Sequence, residues 1–198
     1  MPDTELDDLL TRVRACTLCR DHLPPGVRPV LQMDARAHIL IVGQAPGARA
    51  NASGVPFDDA SGERLRDWLG VERGVFHDAR RIAILPMGFC YPGRAGGADL
   101  PPRPECARTW RAPLLARLQH VQLTVLLGRH ALAHACGQRA PSVTDTVRDW
   151  RAHHPAVMPL PHPSPRNNRW LARNPWFEHD LLPALRARVA EVLGNGRG

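Results

Sequence analysis

Apolar residues recur along this chain in two rhythms. Continuous apolar runs at 37–42, 81–85, 121–127 and 156–160 have the length of buried β-strands. Elsewhere the spacing is helical. Leu6, Leu9, Leu10 and Val13 form one face of a helix over 3–15, with Asp3 or Thr4 as its N-cap. The segment 61–70 repeats the pattern and ends at Gly70, and further helices are expected over 105–118, 129–136, 143–150 and 177–193. Strands alternating with helices predict an α/β fold, a parallel sheet covered on both faces. No repeat, low-complexity tract or linker divides residues 1–198, so one domain is expected.

Two loops follow these runs and carry the chemistry. Gly43-Gln44-Ala45-Pro46-Gly47 follows the first run and His162-Pro163-Ser164-Pro165-Arg166-Asn167 the last. In an open parallel sheet ligands bind at the carboxyl ends of the strands. The two loops are therefore expected to face one pocket, with glycine and proline keeping its walls stiff enough for a flat ligand. A Gly/Pro-rich stretch over 90–104 is too long for a simple connector and suits a functional or metal-tethered loop.

The formal charge is +7, and the first ten residues hold four acids and no base, so the remainder is more basic still. That balance fits a nucleic-acid partner. All 26 basic residues are arginine. Without lysine no side-chain amine can form a Schiff base, which excludes a lysine-dependent lyase step, while arginine still grips phosphate through two bonds. No apolar stretch approaches the roughly 20 residues of a membrane-spanning helix. The acidic start is unlike a secretory signal, so a cytoplasmic protein, monomeric and without membrane contact, is expected.

Cys16 and Cys19 form a C-x2-C pair, and Cys90 and Cys106 bracket the Gly/Pro-rich loop. Two thiolates on a tight turn and two from a loop can close a site for an iron–sulfur cluster or for zinc. His22 is a further candidate ligand, and Cys136 reads as a buried apolar cysteine.

These residues together resemble the uracil-DNA glycosylase superfamily, and within it the iron–sulfur group called family 4. The resemblance rests on Cys16 and Cys19, on Gly43-Gln44-Ala45-Pro46-Gly47, on Gly54-Val55-Pro56-Phe57 followed by Ser61-Gly62, on Cys90 with Glu105-Cys106, and on His162-Pro163-Ser164. It spans roughly residues 13–170, with the motifs in the family's order. It implies a three-layer α/β/α sandwich with a four-stranded parallel sheet and a structural [4Fe–4S] cluster on Cys16, Cys19, Cys90 and Cys106, with zinc as the alternative. It also implies excision of a deaminated base from DNA.

The base would be flipped into the pocket. His162 would then hydrogen-bond the negative charge that develops on the leaving base. Phe57 would stack on it, Gly43, Ala45 and Gly47 would line its site, and Gln44 would position water or the base edge. Ser164, Pro165, Arg166, Asn167 and Arg169, with Arg173, would contact the DNA strand. Trp170, Asn174, Pro175, Trp176 and Phe177 are expected to pack the last helix onto the sheet.

Two departures from the family pattern alter these expectations. Pro86 stands where family 4 has an asparagine that reads the uracil edge, and proline cannot make that paired contact. Asp58-Asp59 replaces a small apolar segment, and Asp58 is the candidate general base, with Asp59 as an N-cap. Uracil is the first expected substrate. The alternative is an iron–sulfur protein on the same fold that binds or senses damaged DNA without cleaving it.

Overall fold

The computed structural model describes residues 4–136 and 142–195. The possible cap at Asp3 and the side chain of Cys136 lie outside the described residues. Among the described residues six strands appear in chain order: β1 (Ile39–Val42), β2 (Ile82–Ile84), β3 (Arg94–Ala95), β4 (Ala98–Asp99), β5 (Leu123–Leu127) and β6 (Val157–Leu160). Four of them form one parallel sheet in the order β2-β1-β5-β6, with Ile39 opposite both Ile82 and Leu123. Helices cover both faces, which makes the three-layer α/β/α sandwich.

The strands are continuous in apolar character because both of their faces are covered. Every residue of β1 and β2 is buried. The helix Ala60–Leu69 presents Leu65, Trp68 and Leu69 to the core and packs beside the last helix, Leu182–Asn195. Trp68 meets Phe177 edge-on at 4.9 Å, and Trp170 meets Phe177 at 5.6 Å, so the aromatic cluster does pack the closing segment onto the body. The first helix, Thr4–Arg14, buries Leu6, Leu10 and Val13, while Leu9 is only half-buried.

Several expected boundaries shift. The 43–59 loop contains a short helix, Ala48–Ser53, closed by Gly54 at φ 75°. The 90–104 stretch carries the exposed β3–β4 hairpin, turned through Gly96 and Gly97, both at positive φ. The helical runs at 104–115 and 177–195 each contain a wide π turn, Ala107–Arg111 and Phe177–Leu181. Each π turn ends two residues before a proline, Pro113 or Pro183. A proline nitrogen cannot donate to the carbonyl four residues back, and a wider turn absorbs the missing link.

The amino ends of β1 and β2 are entered through the same device. Asp34 accepts two bonds from Arg36, at 2.8 and 2.7 Å, and Asp78 accepts two from Arg80, both at 2.9 Å. The arginine bonds hold both carboxyls below the usual carboxylate range. At the opposite end of the sheet, connections leave β1 toward β2 and β5 toward β6. The chain therefore parts between β1 and β5, the switch point where open α/β sheets bind ligands.

Candidate functional site

A cavity of about 680 Å³ opens at that switch point, and the end of every strand in the main sheet contributes to it. Gly43–Gly47 follow β1, Pro86 follows β2, Arg129 and His130 follow β5, and His162 with 164–167 follow β6. Backbone bonds tie the first loop to the segment after β2: Met87 N–H donates to Gly43 and Gly88 N–H to Gln44, at 2.9 and 3.0 Å. The two loops expected to meet across one pocket do so, and Gly43, Gln44, Ala45, Gly47, Phe57, His162, Ser164, Pro165, Arg166 and Asn167 all line it.

Phe57 is placed by two glycines. Its backbone is left-handed at φ 55°, a conformation uncommon for a bulky residue. A Cβ on Gly62 would lie 1.8 Å from the Phe57 carbonyl oxygen, so only glycine lets the helix start this close. A Cβ on Gly43 would come within 3.3 Å of the Phe57 ring tip, which puts the ring over the floor of the cavity. Phe76 supports the ring edge-on at 6.1 Å. Gln44 donates its side-chain nitrogen to the Leu100 carbonyl at 3.0 Å, and so retains an acceptor oxygen for a ligand.

The two acids beside Phe57 point different ways. Asp58 turns outward to an ion pair with Arg73 at 2.8 Å and does not line the cavity. That bond, helped by Ser53, holds its carboxyl below the usual range. Of the two, Asp59 lines the cavity. One of its oxygens caps the helix Ala60–Leu69 by accepting from Gly62 N–H at 2.9 Å. The other faces Gly47, where a Cβ would lie 3.6 Å away.

His162 accepts a bond from Ser164 N–H on Nδ1 at 3.2 Å. A neutral ring with Nδ1 accepting carries its proton on Nε2 and can only donate from there. Burial pushes the imidazole below its ordinary pKa of 6.5, Asp59 and Asp99 oppose that shift, and Arg166 adds to it. Asn167 donates to the His162 carbonyl at 2.6 Å, so its side chain shapes the loop. Arg166 reaches the Gly97 carbonyl of the hairpin. Arg169 and Arg173 are exposed on the helix Asn168–Arg173 and do not line the cavity.

Burial lowers the pKa of His77, His130 and His134 as well as that of His162. Below about pH 6.5 the unfolded chain binds protons that these folded rings resist. Stability therefore falls as pH drops from about 6.5 toward the depressed folded values. Urea midpoints measured between pH 8 and pH 5 are expected to decrease, and a flat profile would contradict the lowered imidazole pKa values.

Further residues complete the cavity that the motifs did not single out. Arg49 comes from the short helix, Arg94 and Asp99 from the hairpin, and Arg129 and His130 from the first turn of the helix Gly128–Cys136, which follows β5 directly. Gly128, at φ 73° directly after a strand, was the available signal for the last two. Counting Arg166 and Asp59, the lining holds four arginines against two aspartates among the described residues.

The four remaining cysteines meet elsewhere. Cys16, Cys19, Cys90 and Cys106, all free thiols, line a second cavity of about 480 Å³. Among the described residues, no three His, Cys, Asp or Glu side chains converge as a single metal ion requires. Trp110 Nε1–H donates to Cys16 Sγ at 3.2 Å and Phe89 N–H to Cys106 Sγ at 3.3 Å. Burial pushes the thiol of Cys90 up to about 12 and that of Cys106 to about 11. Cys19 is raised by burial and then by Glu105, against Arg103. His22 is exposed and outside this cavity.

Among the described residues, no helix is long and apolar enough to cross a membrane. A protein-family model described as the uracil DNA glycosylase superfamily matches residues 31–186, a span that holds all four sheet strands and both cavity loops.

Proposed function

Because the chain belongs to the uracil DNA glycosylase superfamily, we propose that it releases a deaminated base, uracil first, from DNA by hydrolysing the N-glycosidic bond. The observation that carries this reading is the shared cavity: an aromatic ring, a half-buried histidine with a donor nitrogen and an acid stand around one space at the strand ends. A base inside a duplex is out of reach, so the nucleotide flips into the cavity and its ring lies on Phe57. As the bond to the sugar breaks, electrons move onto the base, and the Nε2–H of His162 stabilises that charge. Asp59 orients the attacking water or offsets positive charge on the sugar. The arginines of the rim take the flanking phosphates. With no lysine in the chain, the reaction ends at the abasic site.

Asp59→Asn keeps an N-cap and removes the charge. It is expected to slow base release more than Asp58→Asn does, with little loss of stability. The reverse order of rates would return the role to Asp58.

The second cavity supports a [4Fe–4S] cluster on Cys16, Cys19, Cys90 and Cys106. Such a cluster takes one thiolate per iron, and its ligands stand around a body wider than a single ion. Zinc on the same four thiolates is the alternative occupant. The N–H bonds from Trp110 and Phe89 suit anionic sulfur. When bound, the cluster would join the N-terminal turn to the loop after β2 and play no part in bond cleavage. Protein purified without oxygen should be brown, with about four irons per chain, and Cys90→Ser should lose both. Colourless protein with one zinc would overturn the assignment.

The decisive assay incubates the protein with end-labelled oligonucleotides holding uracil, hypoxanthine or xanthine, then cleaves abasic sites with alkali. Base release from any of them supports a glycosylase, and the ranking names the base. Tight binding to damaged DNA with no release would replace this reading with that of a damage-binding protein on the same fold.

A further inference from the structure

We propose that Arg64 is a positioning residue for His162, holding the histidine loop in register with Asp59 across the cavity. The proposal rests on the glycosylase reading for what His162 does, but not for where the ring sits. Arg64 lies one turn into the helix Ala60–Leu69, whose N-cap is Asp59. Its Nη1 donates to the Ser164 carbonyl at 3.1 Å, joining points one hundred residues apart in the chain. The same carbonyl also accepts from Asn167 N–H at 2.9 Å, so both of its lone pairs have donors.

Ser164 is therefore gripped at its carbonyl while its own N–H holds His162 Nδ1. The path runs from Arg64 through one residue to the imidazole. Two other contacts fix the histidine backbone. Asn167 bonds its carbonyl, and a Cβ on Gly128 would come within 3.2 Å of the His162 Cβ. Neither of them comes from the helix that Asp59 caps. The Arg64 bond does, so it ties the acid and the histidine to one rigid element.

An arginine suits this task. It is partly buried here, and its planar fork loses little freedom per bond formed. A reacting group displaced by about 1 Å can cost up to about 10²-fold in rate. The competing role for Arg64 is a direct phosphate contact, and the two roles leave different signatures. A phosphate contact weakens binding and lowers the slope of log affinity against log salt by about one. A positioning residue slows the chemical step and leaves affinity alone.

The test compares Arg64→Met, Arg64→Lys and His162→Ala, singly and combined, in single-turnover base release and in binding to an uncleaved duplex. Arg64→Met should slow release between about 10-fold and 10²-fold, with affinity and salt slope unchanged, and Arg64→Lys should recover part of the rate. In the His162→Ala background, Arg64→Met should cost less than about twofold, because the two act through one path. Imidazole nitrogen NMR of the whole protein should show the His162 Nδ1 acceptor signature weakened in Arg64→Met.

Additive losses in the double variant, or a loss confined to affinity and salt slope, would overturn the proposal. If Arg64→Met does not fold, Arg64→Lys carries the same comparisons, with a smaller effect on release and on the imidazole. If the unaltered protein releases no base, the proposed function fails while the NMR arm still decides the positioning. An unchanged His162 signature in Arg64→Met would then refute it.

Discussion

His162→Ala is expected to slow base release by about 10²- to 10³-fold, the usual effect of removing one preorganised donor from a developing anion. The effect should fall on the chemical step. His162 stands at the end of β6 with its Nδ1 occupied by the Ser164 amide, so what it presents is a single donor nitrogen. Binding of an uncleaved duplex depends mostly on phosphate contacts and should change little. Single-turnover release against duplex affinity is the measurement. Equal losses in both would mean that His162 serves the strand and not the departing base.

Gly62→Ala should be the most damaging single methyl group near the cavity. The added Cβ would meet the Phe57 carbonyl oxygen at 1.8 Å and its carbonyl carbon at 2.7 Å, both of them backbone that no rotamer change can move. The helix start or the Phe57 turn must shift, and overpacking of this kind costs about 3 kcal/mol at the upper end of its usual range. The same residue supplies the N–H that Asp59 caps, so the shift also disturbs the acid. Denaturant unfolding of the variant gives the stability loss. A midpoint equal to that of the unaltered protein would show that the contact relaxes freely.

The sheet was legible because its strands are buried on both faces and so are written as unbroken apolar runs. The helix Ala60–Leu69 was legible from its two ends, an acid before it and Gly70 after it, the latter observed at φ 68°. Other features left weaker marks. Ala48–Ser53 has no apolar period, and Gly54 marks its end only. Gly96-Gly97 is a hairpin signal, but its flanks lack the alternation that marks strands.

The directions of Asp58 and Asp59 were the hardest feature of the site to read from sequence. Adjacent acids in an irregular segment differ only in direction, and that direction follows from the left-handed Phe57, which a sequence pattern does not display. The thiols were found by spacing alone, since two pairs of cysteines far apart in the chain had few other reasons to be placed as they are.

The paired turns before β1 and β2 give this molecule a front and a back. Asp34 and Asp78 each neutralise an arginine at the amino ends of the strands, while four arginines face two aspartates around the cavity at the carboxyl ends. The lining therefore carries an excess of two arginines at the carboxyl ends of the strands. A polyanion would find its strongest attraction at the open end of the sheet, where that excess stands beside the cavity.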